Sequence, residues 1–308
     1  MLPSRTAPQP VRLCSARMRP AVARARRRLS GVPVPLRLIL AVAALEVLCW
    51  VSFAPPWQGP DESAHFAYAQ HYAEIGDPPV RFFPKIGAGS VSTQQGSAEV
   101  WFNLRAIVGD NRARPLATKL DRTAWERTER TIPKLQREDG YGPNSQAQNP
   151  AAYYIYETVP YKVVGGEHIL TAAFWMRLWS GLLFLFAVAF TWLAAGELFG
   201  LRRGLQALAA SCVALLPQLA YMGSIVNADV ALTAIWSAFT WLSLRLLKRG
   251  PAPATILPLA LTVALSVVTH GRGLALVVPG VVVVIVAFAR RRERRLVPLV
   301  AAVASVGL

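Results

Sequence analysis

Long apolar runs recur along the chain, separated by short segments that carry arginine, glycine or proline. A helix needs about 20 apolar residues to cross the hydrocarbon core of a bilayer. Six runs reach or approach that length, and they cover residues 38–54, 178–198, 205–225, 230–247, 254–269 and 273–289. The pattern therefore predicts an all-α transmembrane bundle.

A seventh apolar run, residues 296–308, reaches the C-terminus while still too short to span a bilayer. With it the predicted bundle has about six to seven spans, and we expect the chain to be the amino-terminal part of a longer protein. Composition agrees, because 54% of the 308 residues are hydrophobic and only 16% are charged. That balance excludes an ordinary soluble domain.

The same pattern divides the chain into four parts. Residues 1–37 are rich in Arg, Pro and Ala and contain no acid, which predicts a disordered cytoplasmic tail. Residues 38–54 form the first span, and residues 55–173 a large loop domain of mixed, irregular and partly helical structure. Residues 174–308 hold the remaining spans of the bundle, truncated at the C-terminus.

Basic residues predict the orientation, because cytoplasmic loops are enriched in Lys and Arg. Nine Arg lie in the first 37 residues, and further basic clusters follow at 202–203, 245–249 and 290–295, at alternate ends of successive spans. We therefore expect a multi-pass plasma-membrane protein with a cytoplasmic N-terminus and an external loop domain. The net charge of +16 then reflects topology and attraction to anionic lipid, not nucleic-acid binding.

Two other features of the sequence bear on processing and redox chemistry. The Arg-rich start, the apolar stretch and Ser52-Phe53-Ala54 imitate a cleaved signal peptide, but the stretch is longer than a signal core, so we expect a retained span. Cys14 lies in the tail, and Cys49 and Cys212 lie in predicted spans. Neither a disulfide framework nor a Cys-based metal site is indicated.

Two helices are predicted within the loop domain. One covers residues 60–75, with Asp61 near its start and Gly76 just past its end. The other begins at Asn149-Pro150, with Asn149 as the cap. On the first helix Asp61, His65, Tyr68 and Tyr72 share one stripe. That stripe either lines a functional surface, or Asp61 caps the helix and the aromatic rings lie among lipid headgroups.

Most of the conspicuous polar residues fall at the external ends of the predicted spans. We expect them to converge at one interface; they are Asp61, Glu62, His65, Asn149, Tyr153, Tyr154, Arg177, Asn227, Asp229, His270 and Arg272.

Three of the polar residues next to or inside spans have competing interpretations. Arg272 either extends to the outer headgroups or clamps a phosphate, which suits a guanidinium group, and we favour the clamp. Asp229 is expected to cap the fourth span. Glu46 lies in the middle of the first span, where a carboxyl group is a functional candidate unless it only bonds a neighbouring helix.

Several of these motifs together resemble the predicted membrane proteins called the DUF2142 family. They are Pro60-Asp61-Glu62 with His65-Phe66, Asn149-Pro150 with Tyr153-Tyr154, Arg177-Leu178, Leu216-Pro217, and Asn227 with Asp229. The resemblance runs from about residue 36 to the end of the chain. That family looks like a branch of the GT-C glycosyltransferase superfamily.

The resemblance implies transfer of a sugar from a polyprenyl-phosphate donor to an envelope polysaccharide or glycolipid acceptor at the outer membrane face. Asp61, Glu62 and His65 would be catalytic, with Asp61 as general base, and Arg272 or Arg177 would bind the donor phosphate. Substrate would also contact Tyr68, Asn149, Tyr153, Asn227 and Asp229. A divalent metal at Asp61, Glu62 and His65 stays open, and no nucleotide or organic cofactor is expected.

Two other classes of function compete with the enzyme. A transporter or flippase of lipid-linked envelope intermediates would also place charges at the ends of spans, although such proteins often show broken helices and charges at mid-membrane. A non-catalytic membrane scaffold would use the loop domain only to bind a partner.

Overall fold

A computed structural model describes residues 31–79, 90–101, 104, 136–140, 144–166, 168–200 and 202–291. This described part is helical and contains no β-strand. Its α-helices, in chain order, are α1 Val34–Phe53, α2 Glu62–Ile75, α3 Thr93–Trp101, α4 Ala152–Val164, α5 Ile169–Phe199, α6 Arg203–Ala214, α7 Pro217–Met222, α8 Ala228–Arg249, α9 Pro253–Thr269 and α10 Val277–Arg291; a 3₁₀ helix, Gly271–Leu276, joins the last two.

Four helical segments of the described chain are long and apolar enough to cross a membrane. They are α1, α5, α8 and the continuous segment Gly271–Arg290, while α9 is apolar but shorter. The predicted count of six to seven spans is therefore not confirmed. The predicted tail, residues 1–37, lies mostly outside the described residues, and the seventh run, residues 296–308, lies wholly outside them.

The predicted third span, residues 205–225, is wrong as one continuous helix. It is divided into α6, which ends at Ala214, and the short α7, which begins at Pro217. Proline lacks an N–H group and disfavours helical geometry in the residue before it, and Leu216 is accordingly extended, with φ −79° and ψ 107°.

Contacts at the helix ends give the direction of each helix. Asn227, just before α8, bonds the chain that follows α1, and Arg249 at the other end of α8 pairs with Glu197 near the end of α5. Helices α5 and α8 therefore run parallel, and α6 with α7 returns the chain between them. Helix α9 runs back along α8, because Trp236 bonds Ser266 across the two helices.

The bundle thus has two distinct ends. We call the end with Ala54, Arg177, Asn227 and Arg272 the site end, and the opposite one the Glu197 end. Helix α1 packs closely on α5 between them, since a Cβ atom at Gly181 would lie 2.5 Å from a methyl group of Val47. Only glycine fits at that crossing.

Helix α5 begins nine residues before its predicted span and extends past the end of α1. Its 31 residues correspond to roughly 46 Å, which exceeds the ~30 Å of a hydrocarbon core. Helix α4 packs along this extension, with Tyr153 beside Ser180 and Tyr156 beside Trp179. Helix α2 packs on α4, with His65 beside Tyr154 and Gln70 beside Tyr161. The loop domain is therefore attached to the bundle through the first turns of α5.

Helix α2 agrees with the prediction, and Gly76 ends it in the left-handed conformation, with φ 92°. Helix α4 does not. It begins at Ala152, and its start has no side-chain cap. Asn149 is not the predicted cap, because the helix starts only after Ala151 and no side chain caps it. The Asn149 amide group donates to Gln146 and to Tyr154.

We predict that the site end lies outside the cell, as the basic clusters indicate. In a variant with Cys14, Cys49 and Cys212 replaced by serine, Ser145→Cys should react with an impermeant maleimide in intact cells. Ser145 is exposed on the loop domain. The matched Gly204→Cys, where a Cβ atom meets nothing within 4 Å, should react only after permeabilisation. The reverse pattern would invert the topology.

Candidate functional site

A buried ion pair joins the start of α2 to α5. Arg177 donates from Nε to Glu62 Oε1 at 2.6 Å and from Nη2 to Glu62 Oε2 at 2.7 Å. Their side chains are only 4% and 1% exposed. Two parallel N–H···O bonds of this kind are a strong and directional form of charge pair.

The same pair also binds backbone groups from two other segments, the turn after α1 and the segment before α8. Arg177 donates to the carbonyl oxygens of Ala54 and Pro55 at 2.6 and 2.7 Å, and Glu62 accepts from the N–H groups of Gly59 and Val226. All three guanidinium nitrogens thus donate within the protein. These contacts give Arg177 a structural role. Its predicted role in phosphate binding stays a prediction.

Asp61 differs from its neighbour in both exposure and conformation. It is exposed, its φ of 55° is left-handed, and its side chain makes no capping hydrogen bond to α2. Asp61 therefore stands at the cap position of α2 but lacks the side-chain hydrogen bond that the capping alternative requires. A carboxylate held in a sparsely populated backbone region is a functional candidate.

The turn before Asp61 is held by packing as well as by the ion pair. Trp57 has φ 58°, is 2% exposed, and its ring lies edge-on to Phe66 at 5.6 Å. At Gly59 a Cβ atom would lie 2.7 Å from Ile225. The chain from Trp57 to Asp61 is thereby fixed against α2 and against the segment before α8.

The predicted stripe on α2 faces mainly into the protein. His65 Nδ1 lies 2.9 Å from the Tyr154 hydroxyl group, Tyr68 stacks on Tyr154 with ring centroids 3.6 Å apart, and Tyr68 donates to the Asn149 carbonyl group. Burial, with a smaller contribution from nearby His270, lowers the pKa of His65 to about 3. Its imidazole ring is therefore neutral at physiological pH.

A second, exposed ion pair lies across the site end. Arg272 Nη1 is 3.1 Å from both carboxylate oxygens of Asp229, with side chains 70% and 37% exposed. The prediction that Asp229 caps α8 is wrong, because Asn227 Oδ1 accepts the Asp229 N–H group and is itself the cap. Asn227 also donates to the carbonyl oxygen of Pro60 at 2.9 Å, which links the exposed pair to Asp61.

The predicted site residues thus lie at one end of the bundle but in two environments. Asp61, Asp229 and Arg272 are open to the surroundings. Those whose side chains are buried are Glu62, His65, Tyr68, Asn149, Tyr153, Arg177 and Asn227. No cluster of three or more metal-binding side chains occurs in the described chain, and Glu62 and His65 turn away from Asp61 towards Arg177 and Tyr154. The arrangement presents one carboxylate and one ion pair to a ligand.

Glu157 on α4 is a buried acid that the sequence pattern did not single out. It is 0% exposed, and Oε1 accepts from Ser180 at 2.7 Å, whereas Oε2 has no hydrogen-bond partner among the described residues. Burial raises the pKa of Glu157 to about 8. The available signal was its position four residues after Tyr153, which places both on the same helix face.

Glu46 lies within α1 as predicted and is half-buried. Among the described residues its carboxyl group makes no hydrogen bond. The interpretation in which Glu46 only bonds a neighbouring helix therefore gains no support.

We predict that Arg177→Met destabilises the protein by about 3–5 kcal/mol, because Glu62 would stay buried without its cation. Unfolding in mixed micelles would measure this loss. Combining Glu62→Gln with Arg177→Met should recover part of it. Arg249→Met is the matched control, since its pair with Glu197 is 58% exposed on the Arg side and is worth about 0–1 kcal/mol. Equal losses for the two arginines would contradict a structural pair.

We also predict a pH dependence caused by Glu157. The pKa of its carboxyl group is about 8 in the fold, against 4.5 for an unperturbed glutamate. Between pH 4.5 and 8 the folded state therefore holds a proton that the unfolded state has released. Stability should therefore fall by about 1.4 kcal/mol per pH unit as the pH rises from 4.5 to 8. Glu157→Gln should remove this slope, and Glu197→Gln should not. A slope unchanged in Glu157→Gln would show that the acid does not titrate there.

Comparison with known proteins gives one family and no individual relative. No curated protein and no solved structure matches the chain. The family model described as predicted membrane protein (DUF2142) matches residues 45–308, which include α1 from its middle onwards, the ion pair and every site residue named above. The chain therefore belongs to the DUF2142 family of predicted membrane proteins.

Proposed function

We propose that the protein is a membrane glycosyltransferase that moves a sugar from a polyprenyl-phosphate donor to an envelope polysaccharide or glycolipid at the outer face of the plasma membrane. The observation that carries the proposal is Asp61, an exposed carboxylate in left-handed backbone with no capping bond, at the end of the bundle where the first span terminates.

Asp61 would act as general base. The acceptor hydroxyl group would attack the anomeric carbon of the donor sugar, the bond from that carbon to the phosphate oxygen would break, and Asp61 would take the hydroxyl proton. An open carboxylate whose backbone is fixed can approach an acceptor closely. Trp57 and the Glu62–Arg177 pair supply that fixation.

Arg272 would stabilise the departing lipid phosphate. It is 70% exposed on its side chain, and its described hydrogen bonds use only Nη1 of the guanidinium group. The Asp229 carboxylate would hold the guanidinium in place while Nε and Nη2 face the phosphate. This arrangement favours Arg272 over Arg177, whose nitrogens all donate within the protein.

The other predicted site residues would act through these two. Glu62 would position Asp61, and Asn227 would connect Pro60 to the start of α8. His65, Tyr68, Asn149 and Tyr153 would form the wall behind them. The substrate would then contact these four residues only where they border the open part of the site.

A transporter or flippase of lipid-linked intermediates is the second candidate, because one specific observation favours it. The segment between α5 and α8 is broken at Pro217, and Glu46 lies in the middle of α1. Broken helices and charges at mid-membrane are typical of transporters. The open residues at the site end favour surface chemistry over this alternative.

The deciding experiment supplies the protein in membranes with radiolabelled polyprenyl-phosphate sugars and follows label into acceptor material. We expect Asp61→Asn to lower the transfer rate by about 10²–10⁴-fold, the usual contribution of a general base. Arg272→Ala should lower it by about 10²–10³-fold, as the loss of a charge-stabilising donor does.

Matched controls come from the same elements. Asp77→Asn changes an exposed acid just past the other end of α2, and Lys162→Ala changes an exposed cation on α4; both should keep wild-type rates. Transfer that survives Asp61→Asn would overturn the mechanism. Movement of intact donor between leaflets without transfer would support the transporter.

A further inference from the structure

The outer face of α4 is apolar and exposed. Ile155, Val159 and Val163 are spaced four residues apart, so they form one stripe along the helix. Their exposed fractions are 46%, 47% and 81%. The opposite face of α4 packs against α2 and α5, and its buried residues are Tyr153, Tyr154, Glu157, Pro160 and Tyr161. Helix α4 therefore has one packed side and one apolar side that the described chain leaves uncovered.

A row of exposed apolar residues also runs along α5. Trp175, Leu182, Phe186 and Leu193 are exposed, and their spacings of seven, four and seven residues place them on one face of the helix. Because α5 is long and apolar enough to cross a membrane, this face contacts lipid along the span. Trp175 extends the same face about 10 Å beyond Leu182, towards the start of the helix.

Two aromatic residues join the exposed faces of α4 and α5. Tyr156 donates to the Trp179 carbonyl group at 2.7 Å, and the two rings stack with centroids 5.2 Å apart. Tyr156 lies three residues before Val159, and Trp179 lies four residues after Trp175, so each ring borders one of the two apolar rows. Tyrosine and tryptophan are enriched where hydrocarbon meets headgroups. The exposed surface of α4 is thus continuous with the lipid-facing surface of α5.

The length of α5 gives the depth at which this surface lies. Its 31 residues extend about 46 Å, and at the average tilt of about 20° they cover about 43 Å along the membrane normal. A bilayer with its headgroups is about 40–45 Å thick. Helix α5 is therefore long enough to cross headgroups as well as hydrocarbon, and its first turns, against which α4 packs, lie at the depth of the headgroups at the site end.

We propose that Ile155, Val159 and Val163 of α4, with Trp175 of α5, form a lipid-binding face that lies among the phospholipid headgroups and upper acyl chains at the site end. An exposed apolar patch marks a surface for a partner, and continuity with a lipid-facing span identifies that partner as the bilayer. The packed side of α4 contacts the site through Tyr154 and His65. Lipid on the outer side of α4 therefore sets the height of the site relative to the membrane, whichever reaction occurs there.

The test places an environment-sensitive fluorescent probe on single cysteines in the full chain, with Cys14, Cys49 and Cys212 replaced by serine. The protein is reconstituted at low density in phosphatidylcholine–phosphatidylglycerol vesicles. Quenching is measured with iodide on both sides of the membrane and, separately, with lipids that carry a nitroxide near the glycerol. Probes at Ile155→Cys, Val159→Cys and Val163→Cys should each lose most of their emission to the nitroxide lipid and little to iodide.

Two further positions in the same background serve as references. Phe186→Cys replaces an exposed residue within the α5 span, and its probe should be quenched by the nitroxide lipid, which verifies insertion. Asp77→Cys replaces an exposed residue just past the far end of α2, and its probe should be quenched by iodide alone.

Three results would overturn the proposal. Probes at Val159 and Val163 that behave like the probe at Asp77 would show that the stripe faces water. Nitroxide quenching at Ile155 alone would place the membrane boundary at the start of α4. Shelter from both quenchers would show that protein covers the face, either this chain or a second copy. Sugar transfer plays no part in these measurements, so the proposed function is tested separately.

Discussion

The bidentate pair between Glu62 and Arg177 is the interaction on which the site end depends. Two charges are removed from water there, at a cost that their mutual attraction alone does not offset. The remaining cost is met by four backbone groups, two carbonyl oxygens after α1 and the N–H groups of Gly59 and Val226. The pair is therefore stable only when α1, α2, α5 and the start of α8 are all in place, which makes it the common joint of these elements.

That joint also explains why adjacent acids differ so sharply. Glu62 points into the protein because Arg177 lies there, and the chain reaches it through a tight turn in which Trp57 and Asp61 are both left-handed. The turn directs Asp61 away from Arg177, and its carboxylate is exposed and makes no capping hydrogen bond. Burial of one acid thus leaves the next one open, and the fixed backbone between them keeps it in one place. The proposed chemistry requires both properties.

Sequence reasoning succeeded where a single local pattern determines the outcome. The apolar runs gave α1, α5 and α8, and the stop at Gly76 gave the end of α2. It missed contacts that no local pattern shows. Asn149 has the residue type of a cap, but α4 starts only after Ala151, and the Asn149 amide group donates to Gln146 and Tyr154. Arg177 pairs with Glu62, 115 residues away, which no local pattern indicated, and its role in phosphate binding stays a prediction. Pro217 indicates a break in the helix, but the apolar residues on both sides of it led to the prediction of one continuous span.

The length of α5 shows how a membrane bundle can carry so much buried polarity. About ten of its residues exceed what a hydrocarbon core requires, and Arg177 and Ser180 lie within or near that excess. There α2 and α4 enclose the polar groups, so each charge or hydroxyl group has a protein partner instead of lipid. Glu157 is the limiting case, since burial raises the pKa of its carboxyl group and so favours the protonated form. The Glu62–Arg177 pair and its backbone partners form a polar network with few alternative arrangements, and that restriction, more than any added stability, keeps the backbone next to the open Asp61 carboxylate in one conformation.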